Sequence, residues 1–227
     1  RPKLGWFETK PLFGKGIVIT RPEEQAGDFA KLLSAEGARV ILFPTIRIVP
    51  PASWELLDRA LDNLESYRWI IFTSANGVKH FFRRLREAGR DVRDLKGIRI
   101  CTIGPATAAA VEGMGIRVDI VPGEFISEGV VRAFQDVDLK GKRVLLPRAE
   151  EARDVIPEGL SKRGASVDVV TVYRTVRSES RKESLQALLD AGKIDVITFT
   201  SPSTVNNFKK IMGGAALPET LRIACIG

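Results

Sequence analysis

One pattern is written twice in this chain. The segment GKGIVITRPEEQAGDFAKLLSAEGARV, beginning at Gly14, returns 127 residues later as GKRVLLPRAEEARDVIPEGLSKRGASV, beginning at Gly141. The same shift carries IIFTSANGVKHF, from Ile70, onto ITFTSPSTVNNF, from Ile197, so that Thr73, Ser74 and Phe81 pair with Thr200, Ser201 and Phe208. A third echo relates IRICTIG, ending at Gly104, to LRIACIG, ending at Gly227. A duplicated pattern calls for two similar units, with a ligand expected between them.

Short apolar runs read as strands: Ile17 to Thr20, Arg39 to Phe43, Trp69 to Thr73, Ile98 to Ile103 and Val118 to Val121. The second copy supplies Val144 to Leu146, Val167 to Val172, Val196 to Thr200 and Ile223 to Ile226. Helical patterns separate them, as in Pro22 to Ala35, Trp54 to Leu64, Asn76 to Ala88 and Thr107 to Met114. Alternating strands and helices predict an α/β protein with parallel sheets covered by helices. FPTIRIVP, from Phe43, and VTVYRTV, from Val170, occupy equivalent places and run past the expected strand ends. They are expected to form a two-stranded linker between lobes. The resulting division is a leader or linker over residues 1–13, a discontinuous lobe A from residues 14–45 and 174–227, and a lobe B from residues 46–173. The helix, strand and helix that come after Gly104 have no counterpart after Gly227. A missing or disordered continuation of lobe A is therefore expected.

The small polar residues collect where strands end and helices begin: Thr20, Arg21, Thr73, Ser74, Gly104, Pro105, Thr107, Arg148, Thr200 and Ser201. Ligands of parallel sheets gather at this end. Hydroxyls and helix-start amides there can hold carboxylates, or they can simply cap helices. With 35 Lys and Arg against 28 acidic residues, the formal charge is +7. That favours a polyanionic partner. The basic residues are dispersed, the run FFRRLREAGR reads as a solvated helix face, and no nucleic-acid-binding signature is present. GxGxxG, P-loop, HExxH and nucleophile-elbow motifs are all lacking. His80, the sole histidine, is expected on a helix surface, and Cys101 and Cys225 are expected as buried thiols. No metal site and no organic cofactor are expected. Tyr173, one of two tyrosines, stands in the linker segment beside Arg174. Its phenol can donate a proton to a departing hydroxyl, or it can be a packed aromatic. No apolar run approaches the length of a membrane span. A cytoplasmic protein, with no membrane or nucleic-acid partner, fits this composition. Residues alone leave an enzyme, a noncatalytic module for a small polyanion and a nucleic-acid-binding protein in competition.

The motifs IVITRPEEQAGDFAKLLSAEGARVILFPTIRI, IIFTSANGVKHFF, ICTIGPATAAAVEGMGIRVDIVP, GKRVLLPRAEEARDVIPEGLSKRGASVDVVTVYRTV and ITFTSPSTVNNF together resemble the uroporphyrinogen-III synthase family. The resemblance runs from about Gly14 to Gly227. It implies two flavodoxin- or Rossmann-like lobes joined by a two-stranded linker. It also implies a cofactor-free lyase that cyclises hydroxymethylbilane, loses water and inverts ring D through a spiro pyrrolenine. The substrate carries eight carboxylates, which would account for the positive charge. By the same resemblance Tyr173 assists the leaving hydroxyl, and Thr107 belongs to the family's IGPAT loop, which Gly104 opens. Ser74 and Ser201 match carboxylate-holding positions, supported by Thr73 and Thr200, while Arg21 and Arg148 contribute charge. Phe125 stands where family members often have tyrosine. The leader KLGWFETKPLFGK resembles the joint between a fused tetrapyrrole methyltransferase and the synthase. A monomer, coupled in function to hydroxymethylbilane synthase, is the expectation, within heme, siroheme or cobalamin synthesis.

Overall fold

The computed structural model describes residues 5–178 and 182–225. In chain order, the elements begin with β1 (Gly16–Ile19), α1 (Glu23–Ala35), β2 (Arg39–Leu42) and β3 (Ile46–Val49). Next come α2 (Glu55–Asp62), β4 (Tyr67–Phe72), α3 (Ala75–Glu87), β5 (Arg99–Thr102), α4 (Pro105–Glu112) and α5 (Ser127–Ala133). The chain continues through β6 (Arg143–Ala149), α6 (Val155–Ser161) and the long β7 (Ser166–Arg177), then α7 (Lys182–Asp190), β8 (Val196–Phe199), α8 (Pro202–Met212) and β9 (Arg222–Cys225). The chain divides into two units, lobe A (Arg1–Ile48 with Val176–Gly227) and lobe B (Val49–Thr175).

Lobe A has strand order β2-β1-β8-β9, and lobe B has β7-β6-β4-β5, with β3 beside β7. The repeat makes these the same sheet, strand for strand. Val18 pairs with Ile41 and Ile197 in lobe A, and Leu145 pairs with Asp168 and Ile70 in lobe B. The 127-residue shift maps the first set onto the second. Ile197 faces Ile223 as Ile70 faces Ile100, the edge strands being those of the third echo. Every one of these pairings is parallel. Lobe B is contributed in the order β4, β5, β6, β7, whereas lobe A is assembled from both ends of the chain. The linker strands β3 and β7 carry the chain between the two units.

Strands covered on both faces read as continuous apolar runs. All four residues of β1 are buried, as are five of the six in β4. In lobe B, Trp69, Ile71, Leu146 and Phe134 share one core, with Trp69 and Phe134 meeting edge to face at 4.8 Å. In lobe A, Val18, Ile197, Phe199, Phe208 and Leu185 form the equivalent core. Helix α3 buries Val78, Phe81, Phe82 and Leu85, a single stripe at helical spacing.

Three local expectations are corrected. Val118 to Val121 forms no strand; only Ile120 bridges Cys101. The Asp119 carboxylate takes the Ile100 amide proton at 2.8 Å, so a side chain replaces a rung of ladder. The basic run of α3 is not simply solvated, since Arg84 Nε and Nη2 each donate to Asp58 at 2.7 Å and tie α3 to α2. Cys101 is buried as expected, but Cys225 is exposed, as are all four residues of the edge strand β9. No described helix is long and apolar enough to cross a membrane.

Candidate functional site

The carboxyl ends of β4 and β6 lie side by side in lobe B, and the residues just beyond them open a recess of about 230 Å³. Thr73, Ile103, Ser127, Arg148, Glu151 and Tyr173 are among its walls. Tyr173 reaches it through an irregularity in β7. Arg148 pairs with Thr171, but Ala149 pairs with Tyr173, so one extra residue enters β7 at this point. Such a bulge interrupts the alternation of side chains and re-aims the next ones along the strand. The Tyr173 side chain is buried, with 9% of the residue exposed.

Ser74 caps α3: its Oγ accepts the Gly77 amide proton at 3.0 Å. The same oxygen lies 3.1 Å from the Tyr173 hydroxyl. Because Ser74 already accepts from Gly77, its own proton can go to the phenolic oxygen. The Tyr173 proton is then left to donate to a third group in the recess. The Tyr173 ring also stacks on His80, with centroids 5.8 Å apart. The expectation of a surface histidine is corrected: His80 is only 7% exposed. It lies off the apolar stripe of α3, on the side where Tyr173 stacks.

The two arginines at the recess are paired. Arg148 donates to Asp154 at 2.6 Å and to the Arg153 carbonyl at 3.0 Å, and its side chain is 11% exposed. Arg153 pairs with Glu128 at 2.9 Å. A backbone amide, then Arg153, holds the Glu128 carboxyl below its ordinary range. The excess charge of the whole chain is therefore not concentrated here. Beside these paired arginines, hydroxyls and helix-start amides can offer hydrogen bonds. Gly104 caps α4 without a side chain, and a Cβ there would lie 3.1 Å from the Phe125 ring. Thr107 sits in the first turn of α4 and is only 5% exposed.

Of the residues singled out from sequence, Thr73, Ser74, Arg148 and Tyr173 come together in lobe B, with Gly104 and Thr107 on the helix start after the neighbouring strand β5. Arg21, Thr200 and Ser201 belong to lobe A, after the adjacent strands β1 and β8. There Ser201 caps α8, its Oγ accepting from Thr204 at 3.3 Å. Arg21 is half-buried, and its Nε has no hydrogen-bond partner among the described residues. Sequence reasoning missed Ser127, Arg153 and the stack of His80 on Tyr173; contacts between segments distant in sequence leave no periodic signal. Among the described residues, no three His, Cys, Asp or Glu side chains gather in a way that could hold a metal ion.

Two duplicated parallel α/β lobes, with hydroxyls and one phenol gathered at the recess of lobe B, define a class of two-lobed α/β protein. The uroporphyrinogen-III synthase HemD family profile matches residues 27–227, and the chain belongs to that family. It is 37% identical over 205 residues to the uroporphyrinogen-III synthase of Synechococcus elongatus, covering 89% of this chain and 76% of that protein. It is 34% identical over 225 residues to the porphyrin biosynthesis protein HemD of Ruminiclostridium josui, covering 99% of this chain but only 44% of that longer protein. The fold is similar to the crystal structure of a mutant uroporphyrinogen III synthase from Thermus thermophilus. The TM-score is 0.62 at 18% identity, covering 94% of this chain and 85% of that one.

Proposed function

We propose that this chain cyclises hydroxymethylbilane to uroporphyrinogen III, with loss of water and inversion of ring D, and that Tyr173 assists departure of the terminal hydroxyl. The observation that carries the second part is the Tyr173 phenol on the wall of the recess, with Ser74 at 3.1 Å and with Arg148 and Thr73 nearby. Family membership carries the first.

The chemistry asks little covalent work of the protein. The pyrrole nitrogen supplies the electron pair that expels the hydroxyl, and a proton from the phenol lets it leave as water. Ring D then attacks through its substituted carbon to give a spiro pyrrolenine. The bond from the spiro carbon to its original methylene then breaks, and the methylene rebonds at the free α carbon on the other side of the ring nitrogen. Loss of the proton from that carbon restores the pyrrole and returns a proton to the phenolate, which leaves the ring inverted. The protein must hold a flexible molecule so that this attack outruns direct end-to-end closure, and such control by orientation can be large. A recess of about 230 Å³ is smaller than a drug-sized pocket of about 300–1,000 Å³. It suits one end of the bilane, with the other rings extending beyond it. Arg148, held by Asp154, offers a carboxylate a partly neutralised cation; the threonine and serine hydroxyls and the helix-start amides offer hydrogen bonds.

On this reading, hydroxymethylbilane synthase supplies the substrate and a tetrapyrrole methyltransferase is a consumer of the product, in service of heme, siroheme or cobalamin synthesis. The test is incubation with enzymatically generated hydroxymethylbilane, followed by separation of the isomers. Isomer III above the spontaneous isomer I background is expected. An unchanged spontaneous mixture from well-folded protein overturns the proposal.

A further inference from the structure

Tyr173 has two neighbours on one helix. Ser74, the cap of α3, meets its hydroxyl at 3.1 Å. His80, within the same helix, lies against the ring with planes inclined by 24° and centroids 5.8 Å apart. This is an offset stack, an arrangement aromatic pairs prefer. His80 is the only histidine in the chain and is 7% exposed.

The duplication supplies an internal control. The repeat shift carries Ser74 to Ser201, His80 to Asn207 and Tyr173 to Ile46. The serine cap occurs in both lobes, bonded to the backbone amide three residues on. The stacked phenol and imidazole occur only in lobe B. The cap is therefore what the helix start needs in either lobe, whereas the stacked pair is an addition to the duplicated frame. The addition lies beside the recess that holds Thr73 and Arg148.

We propose that His80 is a positioning residue for Tyr173. Its ring fixes the plane of the phenol while Ser74 fixes the direction of the hydroxyl. The two together aim the phenolic proton at the leaving hydroxyl of the bilane. His80 acts through Tyr173 and does not meet the substrate. This proposal rests on the leaving-group role proposed for Tyr173.

The test combines a spectrum with kinetics. The chain has two tyrosines, Tyr67 and Tyr173, so ring-labelled tyrosine gives two NMR signals, and Tyr173→Phe assigns them. His80→Ala is expected to move the Tyr173 signal and leave that of Tyr67 in place. It should lower kcat about fivefold, leave KM within about twofold of the parent and raise the share of isomer I. His80→Phe keeps a flat ring and should restore most of the loss. In a Tyr173→Phe background, His80→Ala should lower kcat no further. The proposal is overturned if the two substitutions act independently, or if His80→Ala leaves the Tyr173 signal unmoved. A parent protein that forms no isomer III defeats the catalytic reading and the positioning role with it. The tyrosine signal still reports, separately, whether His80 holds the ring.

Discussion

Ser74 and Ser201, 127 positions apart, hold the same extended backbone and the same cap. Their φ and ψ are −163° and 153° in one, and −166° and 159° in the other. Only Ser74 has a phenol against its oxygen. The two alanine substitutions therefore separate a folding role from a chemical one. Each should cost about 1 kcal/mol of stability, the ordinary worth of an N-cap. Ser74→Ala should in addition depress kcat well beyond Ser201→Ala, because it alone frees the Tyr173 hydroxyl. Denaturant unfolding and steady-state kinetics on the same preparations check both statements. Equal kinetic effects would show that the hydrogen bond between Ser74 and Tyr173 does not matter to turnover.

Tyr173→Phe keeps the ring that stacks on His80 and removes the proton. If the phenol acts as a general acid, kcat should fall by about a hundredfold or more. Stability should change by about 1 kcal/mol or less, the net worth of one hydrogen bond. The residual product should shift towards isomer I. Measurement requires single-turnover rates, so that a slow release step does not mask the chemistry. A variant with the parent's rate constant removes Tyr173 from the reaction.

Much of this arrangement is legible in the residues themselves, and the reasons are physical. The shift between Gly14 and Gly141 makes β1 and β6 equivalents because buried parallel strands leave unbroken apolar runs. The TS and GPAT loops stand out because helix starts need small polar or flexible residues. The Tyr173 environment does not, because it depends on one extra residue in β7, which pattern reading cannot detect. His80 is misread from sequence because it lies off the apolar stripe of α3, and its stack on Tyr173 comes from a distant strand. The net charge suggests a cationic surface for an anion, but Asp154 and Glu128 balance the arginines at the recess.

A polar cluster elsewhere in lobe B predicts a pH effect. Tyr67 donates to Asp168 at 2.6 Å, and Arg143 lies 4.5 Å from the Tyr67 ring centroid. Burial first, then the bond to Asp168, pushes the Tyr67 phenol above its ordinary value. The folded chain thus keeps a proton that the unfolded chain gives up near pH ~10. This stabilisation is complete below that pH and is lost as the pH rises beyond it. Tyr67→Phe has no such proton to keep. Its stability should be lower near neutrality by about 1 kcal/mol but should fall less steeply above pH ~10. Denaturation midpoints measured across that range give the two slopes, and parallel slopes would contradict the assignment.

The two cysteines report separately on the two lobes. Cys101 lies in β5, fully buried in the lobe B core, whereas Cys225 is exposed on β9 of lobe A. Burial, with a smaller contribution from the Asp119 carboxylate, pushes the Cys101 thiol up to about 12. The thiolate is the reactive form, so Cys101 is protected both by access and by protonation. Maleimide treatment of this chain in its folded state near neutral pH should label Cys225 and leave Cys101 silent. Under unfolding conditions the second adduct should appear at the rate at which lobe B opens. Peptide mass spectrometry assigns the sites. Two adducts forming together in native buffer would mean that β5 is not held in the core. With β5 loose, the Ile103 wall of the recess and the α4 start that carries Gly104 and Thr107 would lose their support.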